Sequence, residues 1–230
     1  MERIIDLPLF GILITLAAYY GAQQLYAWRR RILFNPILIS SVGIIAFLVL
    51  CDIDYESYNI GGQYLSFFLG PSVVALGVLF YDKYPQIKNK FWSFLISVLI
   101  GGMVSITTVI CLCLAFSLPE EIIRSLALQS VTSPIAIEVS TMVGGEPALT
   151  AGIVILVGIF GHAVGVEILR WLGITKDAAV GTGLGTTSHG IGTARALELN
   201  PLTGAFSGVA MCINGVLTAL AAPWILDWCL

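Results

Sequence analysis

Residues 130–152 read SVTSPIAIEVSTMVGGEPALTAG, and residues 184–205 read LGTTSHGIGTARALELNPLTGA. Both set small hydroxyl residues, glycines, a proline and charged groups inside a long apolar region. The second is a worn copy of the first. With Thr132 laid on Thr187, Ser133 meets Ser188, a one-residue gap brings Pro147 onto Pro201, and a second brings Thr150 onto Thr203. A fainter echo is LGPSVVALGVLFYD at 69–82. Each stretch opens with residues that interrupt a helix, and each is followed by an apolar helical run. Breaking a helix in lipid frees backbone N–H and C=O groups, each costing several kcal/mol if unpaired, so a break belongs inside protein or against a water-filled cavity. Short interrupted segments in corresponding places point to a transporter's binding site.

The surroundings are those of a membrane protein. Of 230 residues, 57% are hydrophobic and 11% charged, and the mean hydropathy is +0.93. A soluble domain carries roughly 25% charged residues, so most of this surface faces lipid. The net charge of −3 gives no nucleic-acid footprint. The five cysteines form no CxxC and have no neighbouring histidines, which leaves no expected disulfide framework, metal site or cofactor motif. The N-terminal run continues to Trp28 without a convincing cleavage site and reads as a retained helix.

The pattern predicts one all-α integral membrane domain over 1–230, a transporter-like helix bundle with two interrupted or re-entrant segments and inverted repeats. Its expected spans are 7–28, 32–51, 62–81, 91–117, 148–172 and 201–226, with a re-entrant 120–146 and an interrupted 176–199. Basic loops at 29–31 and 82–90, and the acidic loop at 51–59, place the N-terminus outside a cytoplasmic membrane. Arg170 and Lys176 then mark a cytoplasmic end. The 120–146 segment enters and leaves on one side by this count; the competing count makes it a full crossing. Breaks near Gly70-Pro71 and Gly185–Ser188 are expected to approach each other at mid-membrane. A homodimer is expected, built by early helices, with the motif segments away from its interface.

The breaks carry the chemistry. A half-helix N-terminus holds about half a positive charge and binds anions. VTSP at 131–134 and GTTSHG at 185–190 are thus candidate cradles for a carboxylate, with Thr132, Ser133, Thr187, Ser188 and His189 around it and Pro134, Gly185 and Gly190 at the breaks. Gly181, Gly183 and Gly185 suit close packing equally well. Arg195 either supplies positive potential or snorkels while paired with Glu198, three residues on. Glu138 either binds an accompanying proton or cation, or faces an aqueous pocket. His162 and Glu167 read better as interhelical partners. No enzyme is expected: Ser188 and His189 are adjacent, about 100° apart on a helix, and phosphate-loop lysines and GxGxxG are absent.

At these motifs the sequence resembles the LrgB/CidB family, which includes bacterial YohK-type proteins and the membrane domain of the chloroplast glycolate/glycerate translocator. NPILI at 35–39, LGPSVVALGVLFY at 69–81 and the two long motifs carry the resemblance, from about residue 30 to the C-terminus. The family commonly has threonine where Ser133 stands, which preserves the hydroxyl. It often has a proline and a basic residue where this chain has Leu79 and Asp82. The resemblance implies two functions. One is secondary transport of small monocarboxylates such as glycolate, glycerate, lactate or pyruvate. The other is antiholin-like control of murein hydrolase activity and lysis with a small holin-like membrane protein. Buried polar breaks suit the transporter, which is the expected function.

Overall fold

The computed structural model describes residues 7–29, 36–68 and 91–230, with isolated positions at 5, 34, 71, 74, 75, 78, 81, 82, 84, 85 and 88. All elements among the described residues are helical. The chain divides into two compact units, Met1–Ala75 and Leu76–Leu230.

The first unit holds α1 (Pro8–Arg29), α2 (Pro36–Leu50) and α3 (Tyr55–Phe67). Helices α1 and α3 cross with their backbones in contact. A Cβ on Gly61 would collide with the Pro8 carbonyl and lie 2.7 Å from Gly11 Cα. The Thr15 hydroxyl bonds Tyr58 Oη at 2.8 Å beside this crossing. Of the expected break at Gly70-Pro71, Gly70 lies outside the described residues, and Pro71 is helical and exposed.

The second unit holds α4 (Phe91–Ala115), α5 (Glu120–Leu126), α6 (Ser133–Val143), α7 (Pro147–Trp171), α8 (Asp177–Leu199) and α9 (Pro201–Cys229). Among the described residues, α4, α7 and α9 are long and apolar enough to cross a membrane, at 25, 25 and 29 residues; about 20 suffice. The expectation of an all-α membrane protein holds.

Helices α4 and α9 pack along matching stripes. Helix α4 buries Phe94, Val98, Gly102, Ile106, Ile110 and Cys113, and α9 buries Phe206, Ala210, Asn214, Thr218, Ala222 and Leu226. Four-residue spacing puts each stripe on one helix face. The Phe94 and Phe206 rings meet edge-on at 5.4 Å, Gly102 faces Asn214, and Ile110 shares a core cluster with Ala222 and Leu226. The constant offset means that the two helices run parallel.

Helix α8 turns back on itself. Its 23 residues would span about 34 Å if straight. Yet Asn200 Nδ2, at its end, donates to Asp177 Oδ1, at its start, at 2.9 Å. The reversal falls at Ser188 (φ −127, ψ 15) and His189 (φ 41, ψ −133). The two arms lie so close that a Cβ on Gly192 would come 2.6 Å from the Leu184 carbonyl and from Ser188 Cβ. Residues 177–199 are therefore a helical hairpin with its tip at Ser188–His189.

Residues 120–146 form a second hairpin. Arg124 Nη1 donates to the Val143 carbonyl at 2.9 Å, and the Glu146 amide donates to Ser125 Oγ at 2.7 Å, so the segment's two ends lie together. Gly144, at φ 77, closes α6 in the left-handed conformation that glycine adopts without a Cβ penalty. Arms of seven and 11 residues rise only about 10 and 16 Å, too little to cross.

The hairpins stand at opposite ends of α9. Arg124 of the first bonds Asp227 at 3.1 Å, and Asp177 of the second accepts from Thr203 Oγ1 at 3.2 Å. Each leads into a proline-started membrane helix with a side-chain cap: Glu146 accepts from the Ala148 amide at 3.2 Å, and Asn200 from the Thr203 amide at 2.8 Å. The residues aligned in the two motifs, Thr150 and Thr203, each tie their helix back to its own hairpin, Thr150 through Ser140 Oγ at 2.8 Å. Hairpin plus helix is thus repeated in inverted orientation.

Candidate functional site

The two hairpin tips meet at one side chain. Asn214, near the middle of α9 and fully buried, donates through Nδ2 to the Ser130 carbonyl at 3.1 Å and to the Thr186 carbonyl at 3.0 Å. The Ser130 carbonyl lies in the turn that follows α5, and the Thr186 carbonyl lies near the end of the first arm of α8. Backbone acceptors freed by the two interruptions are thereby satisfied by a single amide, which is what makes such breaks tolerable in a membrane interior.

The second tip is seated between two helices by glycines. On α7, a Cβ at Gly161 would collide with Ser188, one at Gly158 would stand 2.7 Å from His189 Cε1, and one at Gly165 2.8 Å from Leu184 Cδ2. On the other side, a Cβ at Gly181 or Gly185 would strike the Thr203 or Ser207 carbonyl of α9. His189 is buried, and its Nε2–H donates to the Val154 carbonyl of α7 at 2.9 Å. Thr193 Oγ1 donates to the His189 carbonyl at 2.9 Å and pairs with Ser207 Oγ at the same distance. The strained positive φ at His189 is thus held from both flanks.

Two clefts flank α8. One of about 600 Å³ lies against α4 and is lined by Ser93, Ser97, Gly101, Thr182, Thr186 and Thr187, among others. The other, of about 260 Å³, lies against α7 and includes Gly161, Gly165, Gly183, Thr187 and Ser188. Thr187 and Gly183 border both. Thr187 Oγ1 donates to the Gly183 carbonyl at 2.9 Å and lies 3.2 Å from Ser188 Oγ.

The remaining residues singled out by sequence fall as follows. Thr132 is the N-cap of α6, its side chain making no capping bond; Ser133 starts the helix, with Pro134 next. Thr132 and Ser133 are half-buried, Pro134 and Gly190 exposed. Thr132, Ser133 and His189 line neither cleft. Glu138 is exposed on α6. Gly185 is helical, and the non-helical residues are Ser188 and His189. What comes together at the tips is the backbone of Ser130 and Thr186, not the hydroxyls of Ser133 and Ser188.

Arg195 has carboxylate partners. Its Nη1 donates to Glu198 Oε2 at 2.8 Å, its Nη2 stands 3.8 Å from Glu167, and Glu198 also faces His162 Nε2 at 3.6 Å. The group fastens the second arm of the hairpin to α7. Arg195→Ala is expected to loosen that arm by about 1 kcal/mol, the scale of partly exposed ion pairs. Arg195→Lys should recover part of the loss in melting temperature.

Asn214 lies outside both motifs, and Ser130 and Thr186, though inside them, act through backbone carbonyls that no side-chain pattern marks. A signal existed: Asn214 is a lone amide inside a 29-residue apolar helix, and intramembrane polar residues mark functional interiors.

The family model described as LrgB-like family matches residues 15–228. The chain is 34% identical over 218 residues to "Uncharacterized protein YwbG" of Bacillus subtilis (strain 168), covering 95% of this chain and 97% of that protein. It is 30% identical over 222 residues to "Antiholin-like protein LrgB" of Bacillus mycoides (strain KBAB4) and of Bacillus cereus (strain B4264), covering 96% of each chain. No solved structure matches.

Proposed function

The chain belongs to the LrgB-like family, and we propose that it is a secondary transporter of small monocarboxylates in a cytoplasmic membrane. The observation that carries this reading is the meeting of two inverted hairpins at Asn214. Half-helices ending at mid-membrane, entered from opposite faces, are the parts from which alternating access is built. The uncapped start of α6, with the Thr132 and Ser133 hydroxyls, and Thr187 between the two clefts are the groups assigned to the carboxylate. The second hairpin opens on the cytoplasmic side, near Arg170 and Lys176, and the first on the outside, with the N-terminus. A homodimer formed through α1 and α2 completes the assignment.

A second reading is favoured by a specific observation. Relatives over 96% of the chain carry the name antiholin-like protein, and that name speaks for lysis control more directly than for transport. In this reading the chain acts with a small holin-like membrane protein on murein hydrolase activity.

Purified protein in liposomes, supplied with labelled glycolate, glycerate, lactate and pyruvate, separates the two. Uptake of at least one acid is expected, and Ser133→Ala and Thr187→Ala should each weaken apparent affinity about tenfold, the effect of deleting a hydrogen bond to a charged group. No uptake of any acid, together with an altered lysis rate in cells co-expressing the holin-like protein, would establish the second reading instead.

A further inference from the structure

We propose that Asn214, Thr186 and Thr218 form a binding site for a monovalent metal cation, with sodium as the type ligand, where the two hairpin tips meet α4 and α9. Three side-chain oxygens there, Asn214 Oδ1, Thr186 Oγ1 and Thr218 Oγ1, are buried and have no hydrogen-bond partner among the described residues. Asn214 and Thr218 are 0% exposed and Thr186 is 4% exposed, so bulk water does not serve these oxygens.

The amide orientation of Asn214 is determined by its surroundings. Its Nδ2 donates to two carbonyls; reversing the amide would set Oδ1 against both carbonyl oxygens. Oδ1 therefore faces away from them, toward α4, where a Cβ on Gly102 would collide with it. A Cβ on the preceding residue, Gly101, would lie 3.3 Å from Thr186 Cγ2. Asn214 and Thr186 thus stand against consecutive glycines of α4, and Thr218 follows Asn214 by one helical turn on the same face.

The local charge selects the ligand. Thr186 lies near the C-terminal end of the first arm of α8, whose carbonyl end is negative, and the Ser130 carbonyl, in the turn after α5, points to the same amide. In interrupted membrane helices such carbonyl ends coordinate sodium ions or protons. Among the described residues no cationic side chain bonds these oxygens, and Asn214 Oδ1 can only accept, which favours a cation over an anion. Among the described residues no carboxylate bonds them either, and neutral oxygens alone suit a singly charged hard cation better than a divalent one, whose protein sites use carboxylates. The site does not depend on the transport reading, because binding is measured without a transported solute.

Thermal unfolding of the purified wild-type protein in sodium, lithium, potassium and choline chloride, at equal ionic strength, tests it. A saturable rise in melting temperature of several degrees in sodium over choline is expected. Thr218→Val keeps the side-chain shape and removes one oxygen; it should raise the apparent sodium dissociation constant about tenfold, and Thr218→Ser should restore it. Thr186→Val should act alike; if it fails to fold, Thr218→Val decides alone. Equal melting in sodium and choline for the wild type would overturn the proposal in favour of a buried water. So would a wild-type sodium response in Thr218→Val.

Discussion

Asn214→Leu is expected to abolish transport and to lower stability more than any other single polar replacement in the second unit. Leucine shares asparagine's branching, with bulkier methyls, but leaves the Ser130 and Thr186 carbonyls without the donor that both now share. A buried acceptor stripped of its partner costs about 1–3 kcal/mol, and here two are stripped by one change. Removal of the unpartnered Asn214 Oδ1 offsets part of this. Loss of the cap in Asn200→Ala is the reference, at about 0.5–2 kcal/mol, because Asn200 serves one hairpin base and Asn214 serves both tips. Thermal melts and liposome uptake at equal incorporation check the comparison. An Asn214→Leu protein that melts with the wild type would mean that the tips hold without their bridge.

The second large effect separates two neighbouring glycines. In Gly185→Ala the new methyl would collide with the Ser207 carbonyl oxygen and lie 2.8 Å from the Ser207 carbonyl carbon and Cα. Backbone cannot rotate away as a side chain does, so α8 must lift from α9. Overpacking of this kind costs about 1–3 kcal/mol and sometimes more. Displacing the first arm also moves Thr186 away from Asn214, so transport should fall with stability. Gly183→Ala is expected to be neutral or stabilising. Its methyl would lie 3.6 Å from Leu169 Cδ1, an ordinary contact, and alanine is favoured over glycine inside a helix by about 0.8–1 kcal/mol. Equal melting temperatures for the two variants would contradict the close approach of α8 to α9.

By sequence alone the glycines at 181, 183 and 185 were equivalent, and packing and function weighed the same for all three. Their difference depends on which neighbour each one faces, and neighbours from other helices are invisible to local pattern. Arg195 shows the same division within one residue. Its pairing with Glu198 was legible, because three-residue spacing puts both on one helix face. Its approach to Glu167, and the place of His162 beside Glu198, required α7 to lie alongside.

Local chemistry determined a good deal. Apolar length identified α4, α7 and α9 as membrane helices, because about 20 apolar residues suffice to span hydrocarbon whatever their neighbours. Proline and hydroxyl residues marked the interruptions, and Pro147 and Pro201 with their preceding caps marked where the long helices restart. The family, too, was legible in its motifs. Only the tertiary structure decided that residues 177–199 turn back on themselves, since a 23-residue segment has length enough either to cross or to reverse. The decision rests on the bond from Asn200 to Asp177 and on the glycine faces of α7 and α9 that receive the folded arms. Only the structure, likewise, joined Ser130, Thr186 and Asn214. They come from three separate segments, and the need of each freed carbonyl for a donor is satisfied across space and leaves no periodic trace along the chain.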